Sequence, residues 1–284
     1  MSEVKRLLGE AKLDWGVNTE KMTTISGLDV PDCKAVVRED TMKVLSVRGE
    51  DYEVYQNEQL MQLLYDISNK TGLSVHKGGS FDEGRKVYVQ LKSDDLMLGK
   101  DKIEGFITGI NSFDGSTSLA FGNTNRTMSC TNMFYSTFRE MTSKVRHTKN
   151  MSLKIDDICK SLDYILEEEK QIFKHIQELS TMTFDDLMED KVLRSLFNIK
   201  QEVDLKDDEA VSTVTKNKID QFYVDLNGEL KDKGNNAWGL FSGVTKFTTH
   251  SLYKGDTNKS EMSKMFGMYG KRERQIWNEL VSTI

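Results

Sequence analysis

Four aspartates set the first chemical question. Asp82, Asp94, Asp95 and Asp114 lie close enough along the chain for a fold to gather them around a divalent metal, as phosphoryl-transfer sites do. Asp114 stands in "SFDGST", however, and there a simpler chemistry suffices. An aspartate before a glycine takes a backbone N–H with its carboxylate, and the glycine adopts the positive φ of a tight turn. A metal-dependent nuclease using Asp114 is therefore the third and weakest reading. Ser112, Ser116 and Ser118 have no recognisable histidine partner or nucleophile elbow. Cys130 falls in a strand-like run and reads as a small buried residue. "GKDK" at 99–102 lacks the glycine spacing of a phosphate loop, and "KGGSFDEGRK" reads as a hairpin tip rather than a phosphate cradle. The three cysteines and four histidines are scattered, with neither a disulfide framework nor a zinc spacing. No metal, no cofactor and no enzymatic activity are expected.

A second chemistry needs cations for phosphates and flat groups for bases. In "RKVYVQLK" the strand period puts Val87, Val89 and Leu91 on one face and Lys86, Tyr88, Gln90 and Lys92 on the other, which is expected to face outward. Arg126 ends a later strand, and Lys144, Arg146, His147 and Lys149 follow it. Lys86, Tyr88, Lys92, Arg126, Lys144, Arg146 and Lys149 are thus the candidate nucleic-acid-binding residues, with a single strand favoured because no recognition helix is visible. The competing reading puts Tyr88 beneath a helix and leaves the lysines to keep a sheet edge soluble.

The elements that would position these residues alternate in character. Residues 1–40 read as an arm docked by Leu13 and Trp15, ending in "LDVPDCKAVVRED", loop then strand. Residues 41–48 read as a strand. Asn57 is expected to cap a helix whose face carries Leu60, Leu63, Leu64 and Ile67 and which stops at Gly72. Two strands joined at "KGGSFDEG" follow, then two long strands around Asp114-Gly115, then a helix opening at "TNMFYSTFREMTSKV". The second half is helical. Positions 155, 158, 162, 165, 169, 172, 176 and 179 form a seam, apolar except for Glu169, that reads as an intramolecular bundle contact. "TFDD" at 183–186 resembles a capping box, and further helices are expected over about 212–231, 236–250 and 258–282. The fold class is α+β: a β-rich α+β domain over 41–150 after the arm, and a helical region over 151–284 packed on it.

The composition, 37% hydrophobic and 30% charged, suits a globular chain, and no apolar run reaches the roughly 20 residues of a membrane span. With no apolar leader at the start, a cytoplasmic location is expected. The net charge of −6 opposes a simple nucleic-acid binder, but it is unevenly spread. Residues 121–154 hold six bases and one acid, whereas 156–209 hold sixteen acids and seven bases.

Several stretches carry a likeness: "YEVYQNEQLMQLL", "ITGINSFDGSTSLAFGNTNRTMSCTNMF", "VRHTKN", "NNAWGLFSGVTKFTTH" and "KMFGMYGKRERQIWNEL". In order and content they are similar to the phage- and plasmid-like family of unknown function found in prophages. That family carries an Asn-Ser-x-Asp-Gly-Ser hairpin (here Asn111 to Ser116), an arginine strand ending in Cys-x-Asn (Arg126 to Asn132) and a late Ala-Trp pair (Ala237-Trp238). The resemblance covers about residues 40–284. It implies a DNA-metabolism context and no settled activity. By architecture alone, the β-rich half followed by a helix also resembles single-strand annealing proteins.

The expectation is a non-enzymatic phage DNA-metabolism protein that binds single-stranded DNA, self-associates, and aids recombination or annealing. The alternative is a protein-interaction factor that binds a host, phage or defence protein. No membrane association is expected.

Overall fold

A computed structural model describes residues 2–127, 132–134, 144–145, 162–204 and 211–284. It has the expected α+β class. In chain order the elements are α1 (Glu3–Ala11), β1 (Val17–Thr23), β2 (Asp29–Arg38), β3 (Lys43–Gly49), α2 (Asn57–Thr71), β4 (Ser74–Phe81), β5 (Lys86–Leu98), β6 (Asp101–Ser112), β7 (Leu119–Thr127), β8 (Met133–Phe134) and β9 (Lys144–Val145). They continue with α3 (Leu162–Thr181), α4 (Asp186–Phe197), α5 (Thr213–Lys233), α6 (Ala237–Lys246), a π-helical turn (Phe247–Ser251), α7 (Thr257–Phe266) and α8 (Met268–Val281). β1–β2–β3 form one antiparallel sheet in that order, and a second sheet runs β4–β5–β6–β7–β8 with β9 also on β7. Among the described residues, no helix is long and apolar enough to cross a membrane.

The chain divides into two compact units, each discontinuous in sequence: residues 1–94, 105–123 and 140–166, and residues 95–104, 124–139 and 167–284. In the first, the segment expected to be an arm folds into α1 and a β-hairpin. Ser2 caps α1 by accepting the Lys5 N–H, and Val4, Leu7, Leu8 and Ala11 are buried as α1 packs on α2 and β4. Leu13 and Trp15 dock this segment as expected. The cap of α2 is Gln56 rather than Asn57, in a reciprocal capping box with Gln59, and the helix ends on Gly72 at φ +76°. Asn57, one residue inside, donates its buried amide to the Trp15 carbonyl, and Asn111 does the same for Tyr55.

The β4–β5 turn also shifts. Gly78 and Gly79 lie inside β4, paired with Val89 and Tyr88, and the chain reverses at Asp82–Gly84. The glycines serve close approach rather than a tip, because a Cβ on Gly78 or Gly79 would press on the Tyr88 carbonyl or ring. β5 and β6 are buried on both faces through most of their length, with the Gln90 amide donating to Thr108 Oγ1 at 2.9 Å. Where a helix is expected to open at "TNMFYSTFREMTSKV", Met133–Phe134 form β8, which pairs with Arg126 and Asn125, and residues 135–143 of that segment lie outside the described residues.

The second unit is built around Phe134, Phe241 and Trp277, whose ring centroids lie 4.8 to 5.2 Å apart. Glu169, Ile172, Ile176 and Leu179, the later seam positions, are buried within the chain. The first seam positions lie outside the described residues. Asp185 caps α4 through the Met188 N–H, and the long helix expected over 258–282 is broken at Gly267 into α7 and α8. α5 and α6 approach closely at Gly243, where a Cβ would sit 2.9 Å from the Leu226 backbone. Lys264 is fully buried in this unit. Its ammonium lies 2.7 Å from Glu273 Oε1, which also accepts from Thr248 beside the π-helical turn. Burial pulls the Lys264 pKa down, against the pull of Glu273.

Two outcomes follow from this packing. Gly109→Ala places a methyl 2.8 Å from the Phe121 ring and against Leu64, and should cost about 1–3 kcal/mol in urea denaturation. Glu273→Leu strands a buried ammonium and should cost about 3–5 kcal/mol, whereas adding Lys264→Met should recover most of that loss in the same measurement.

Candidate nucleic-acid interface

The geometry starts at the hairpin between β6 and β7. Ser112 Oγ donates to the Thr117 carbonyl and accepts the Thr117 N–H, closing the loop. Within it, Asp114 Oδ1 accepts the Ser116 N–H at 2.9 Å and Gly115 sits at φ +64°, the turn chemistry expected of an Asp-Gly pair. The turn is then fixed from outside. The carbonyls of Ser112, Phe113 and Asp114 are taken by Tyr52 Oη, Ser46 Oγ and the Arg48 guanidinium in turn. The Phe113 N–H donates to the Arg85 carbonyl, and the Phe113 ring lies buried 5.7 Å from Trp15.

Asp114 has a second role that the turn alone did not suggest. Its Oδ2 lies 2.7 Å from Lys86 Nζ, with both side chains largely buried. Burial pushes the Asp114 carboxyl up, but Lys86 and the Ser116 hydrogen bonds outweigh it and hold the pKa below the usual value. Among the described residues, no group of three or more histidine, cysteine or acidic side chains could hold a metal.

The expected outward face of β5 is not outward. Lys86, Tyr88 and Gln90 are buried. Lys86 pairs with Asp114, Tyr88 stacks on Phe81 at 5.2 Å, and half-buried Lys92 lies over the Phe106 ring while donating to the Ser93 and Gly105 carbonyls. The alternation is present, but the sheet is covered on both sides, and the polar residues satisfy one another inside it. In the other unit, Arg126 is bound to Glu104 by two hydrogen bonds, at 3.0 and 2.5 Å. Lys144 lies on β9 opposite Ala120, and Arg146 and Lys149 lie outside the described residues.

A different set of cations is brought together by the first sheet. Its register places Lys21 opposite Lys34, and Lys34 opposite Arg48, in one row across all three strands. Adjacent side chains in such a row stand about 5 Å apart, where like charges repel. Lys21 is exposed and Lys34 partly buried, and neither makes an ion pair among the described residues. Arg48 spends its donors on the Asp114 carbonyl and on Ser46 Oγ, both uncharged, so its charge is retained. Nothing local in the sequence marks this row; only the register of three strands assembles it.

The opposite face of the same sheet is mixed, with Asn18 and Glu20 of β1 opposite Val37 and Ala35. Ala35 pairs with Val47 and Val37 with Val44, and Val44 and Val47 are about half exposed. In the helical unit, a cleft of about 800 Å³ is lined by Leu187, Met188, Arg194, Lys200, Arg272 and Glu279. Its two arginines are already used. Arg194 binds Asp190 and the Lys200 and Val203 carbonyls, and Arg272 binds the Leu196 carbonyl.

Compared with known proteins, residues 44–266 match the model of a family described as "Domain of unknown function (DUF932)". No curated protein and no solved structure matches the chain. The match begins at the second residue of β3, so α1, β1 and β2 precede it.

The Lys86–Asp114 pair carries a pH-dependent share of stability. Because the folded Asp114 pKa lies below its unfolded value, that share is complete above about pH 4 and is lost as the pH falls through the folded pKa. Asp114→Asn should destabilise the protein by about 1–3 kcal/mol at neutral pH. Urea titrations should also show a flatter dependence of its stability on pH below about 4 than the parent has.

Proposed function

Since the chain belongs to the DUF932 family, whose description assigns no activity, we propose from its own residues that it binds the phosphate backbone of single-stranded nucleic acid. One observation carries this reading: the row Lys21–Lys34–Arg48, three adjacent cations of which two have no counter-charge. Holding like charges side by side costs stability unless an anion completes the set, and a polyphosphate chain supplies anions at comparable spacing. A flexible single strand suits a short row of three cations better than a rigid duplex does. The overall charge of −6 makes locally basic surface a condition of such binding. Lys144, Arg146 and Lys149 stay in the proposal on their charge alone. A role in annealing or recombination, in phage or plasmid DNA metabolism, is the context that fits this activity.

Val44 and Val47, exposed on β3 behind the row, favour a second reading, a protein-binding role that includes self-association. Neighbouring apolar side chains left exposed on an edge strand are the kind of surface that partners cover.

Salt dependence separates the two. Anisotropy of a labelled oligonucleotide should show log K falling with log salt at a slope of about −2 for three phosphates. Lys21→Ala with Lys34→Ala should reduce that slope to about −0.7. No binding at micromolar protein in low salt, or an unchanged slope in the double variant, would leave the protein-binding reading standing alone.

A further inference from the structure

The β1–β2 hairpin ends in a tip whose side chains point the opposite way from economy. Ile25 is 110% exposed, more than any other large aliphatic side chain among the described residues, and Leu28 close by is 66% exposed. The tip is ordered by its own hydrogen bonds. The Thr24 N–H donates to the Leu28 carbonyl at 2.8 Å, the Gly27 N–H to the Thr24 carbonyl at 2.9 Å, and the Leu28 N–H to Thr24 Oγ1 at 3.1 Å. The Thr24 and Ser26 hydroxyls lie 2.9 Å apart, and Gly27 supplies the positive φ of +82°. The turn therefore presents Ile25 in a fixed place. Lys21, paired with Lys34, lies four residues below it, about 13 Å along the strand.

We propose that this hairpin is a wedge for nucleic acid. With the backbone held at the Lys21–Lys34–Arg48 row, Ile25 and Leu28 press against bases at a junction of single strand and duplex, and part the terminal base pair. The inference rests on the binding reading above and names its substrate. Aliphatic side chains set between base steps are a general means of unstacking a duplex. Two acids near the tip fit bases better than an anionic membrane. Asp29 and Asp32 are exposed on β2 between the tip and Lys34, where they repel phosphate groups but can accept hydrogen bonds from the amino groups of bases.

A forked DNA with 2-aminopurine at the junction, and a plain single strand of the same sequence, test this with the full chain. The parent protein should raise the 2-aminopurine fluorescence and should prefer the fork by about tenfold, the worth of one buried aliphatic side chain. Ile25→Ser with Leu28→Ser, both at exposed positions, should lose the fluorescence rise and the preference while binding the plain strand as tightly as the parent. If the parent binds the plain strand but leaves the fluorescence unchanged, or if the double variant matches the parent on the fork, the wedge is overturned and the binding reading stands. If the parent binds neither DNA, both fall. Sedimentation with vesicles of phosphatidylserine and phosphatidylcholine would then mark the tip as a lipid contact.

Discussion

Three consecutive backbone carbonyls at the β6–β7 turn, those of Ser112, Phe113 and Asp114, govern the first unit. A tight turn turns its carbonyls outward, and each needs a donor if it is not to face solvent. Here the donors are Tyr52, Ser46 and Arg48, two of them from β3 and the third from just beyond it. The hairpin tip and the edge strand of the first sheet thereby fix one another. The Asp114 side chain adds the Lys86 pair beneath, so one short turn ties β3, β5, β6 and β7. A residue type that invites a catalytic reading is occupied by architecture, and Arg48, which holds the turn, keeps the charge that completes the cationic row.

The elements legible in the sequence were those with short-range causes. The period of α2 and its Gly72 stop, the Asp-Gly turn and the alternation of β5 all depend on neighbours within a few residues. The misplaced details depend on distant partners. Gly78 and Gly79 resemble a loop in sequence, yet they are strand residues paired with β5, where Ala11, the Tyr88 carbonyl and the Tyr88 ring leave no room for a Cβ. Gln56 rather than Asn57 caps α2, because the Asn57 amide is drawn away to the Trp15 carbonyl. The candidate interface shows the same limit. Lysines on a strand look solvated until the second covering layer is known, and the row Lys21–Lys34–Arg48 has no sequence signature because it exists only across strands.

Polar burial is handled alike in both units. Asparagine amides hold backbone carbonyls at Asn57, Asn111 and Asn123 in the first unit and at Asn132 in the second. Charged groups are buried as pairs with added hydrogen bonds, as at Lys264 and Glu273, or in the set where Glu229 receives both Lys233 and Lys246. Such groups specify position more than they add stability, since an aliphatic core of equal volume would cost less to form.

The irregularities in the first sheet acquire a meaning from its two unlike faces. β1 is irregular between Lys21 and Thr23, and β2 against β3 between Val36 and Val37. A slip of one residue would carry Lys34 from the face it shares with Lys21 and Arg48 to the face that holds Ala35 and Val47. Pinning two strand pairs at separate points makes that error hard to commit. The bulges thus act as a parity check on the register, and the cationic row is the message they protect.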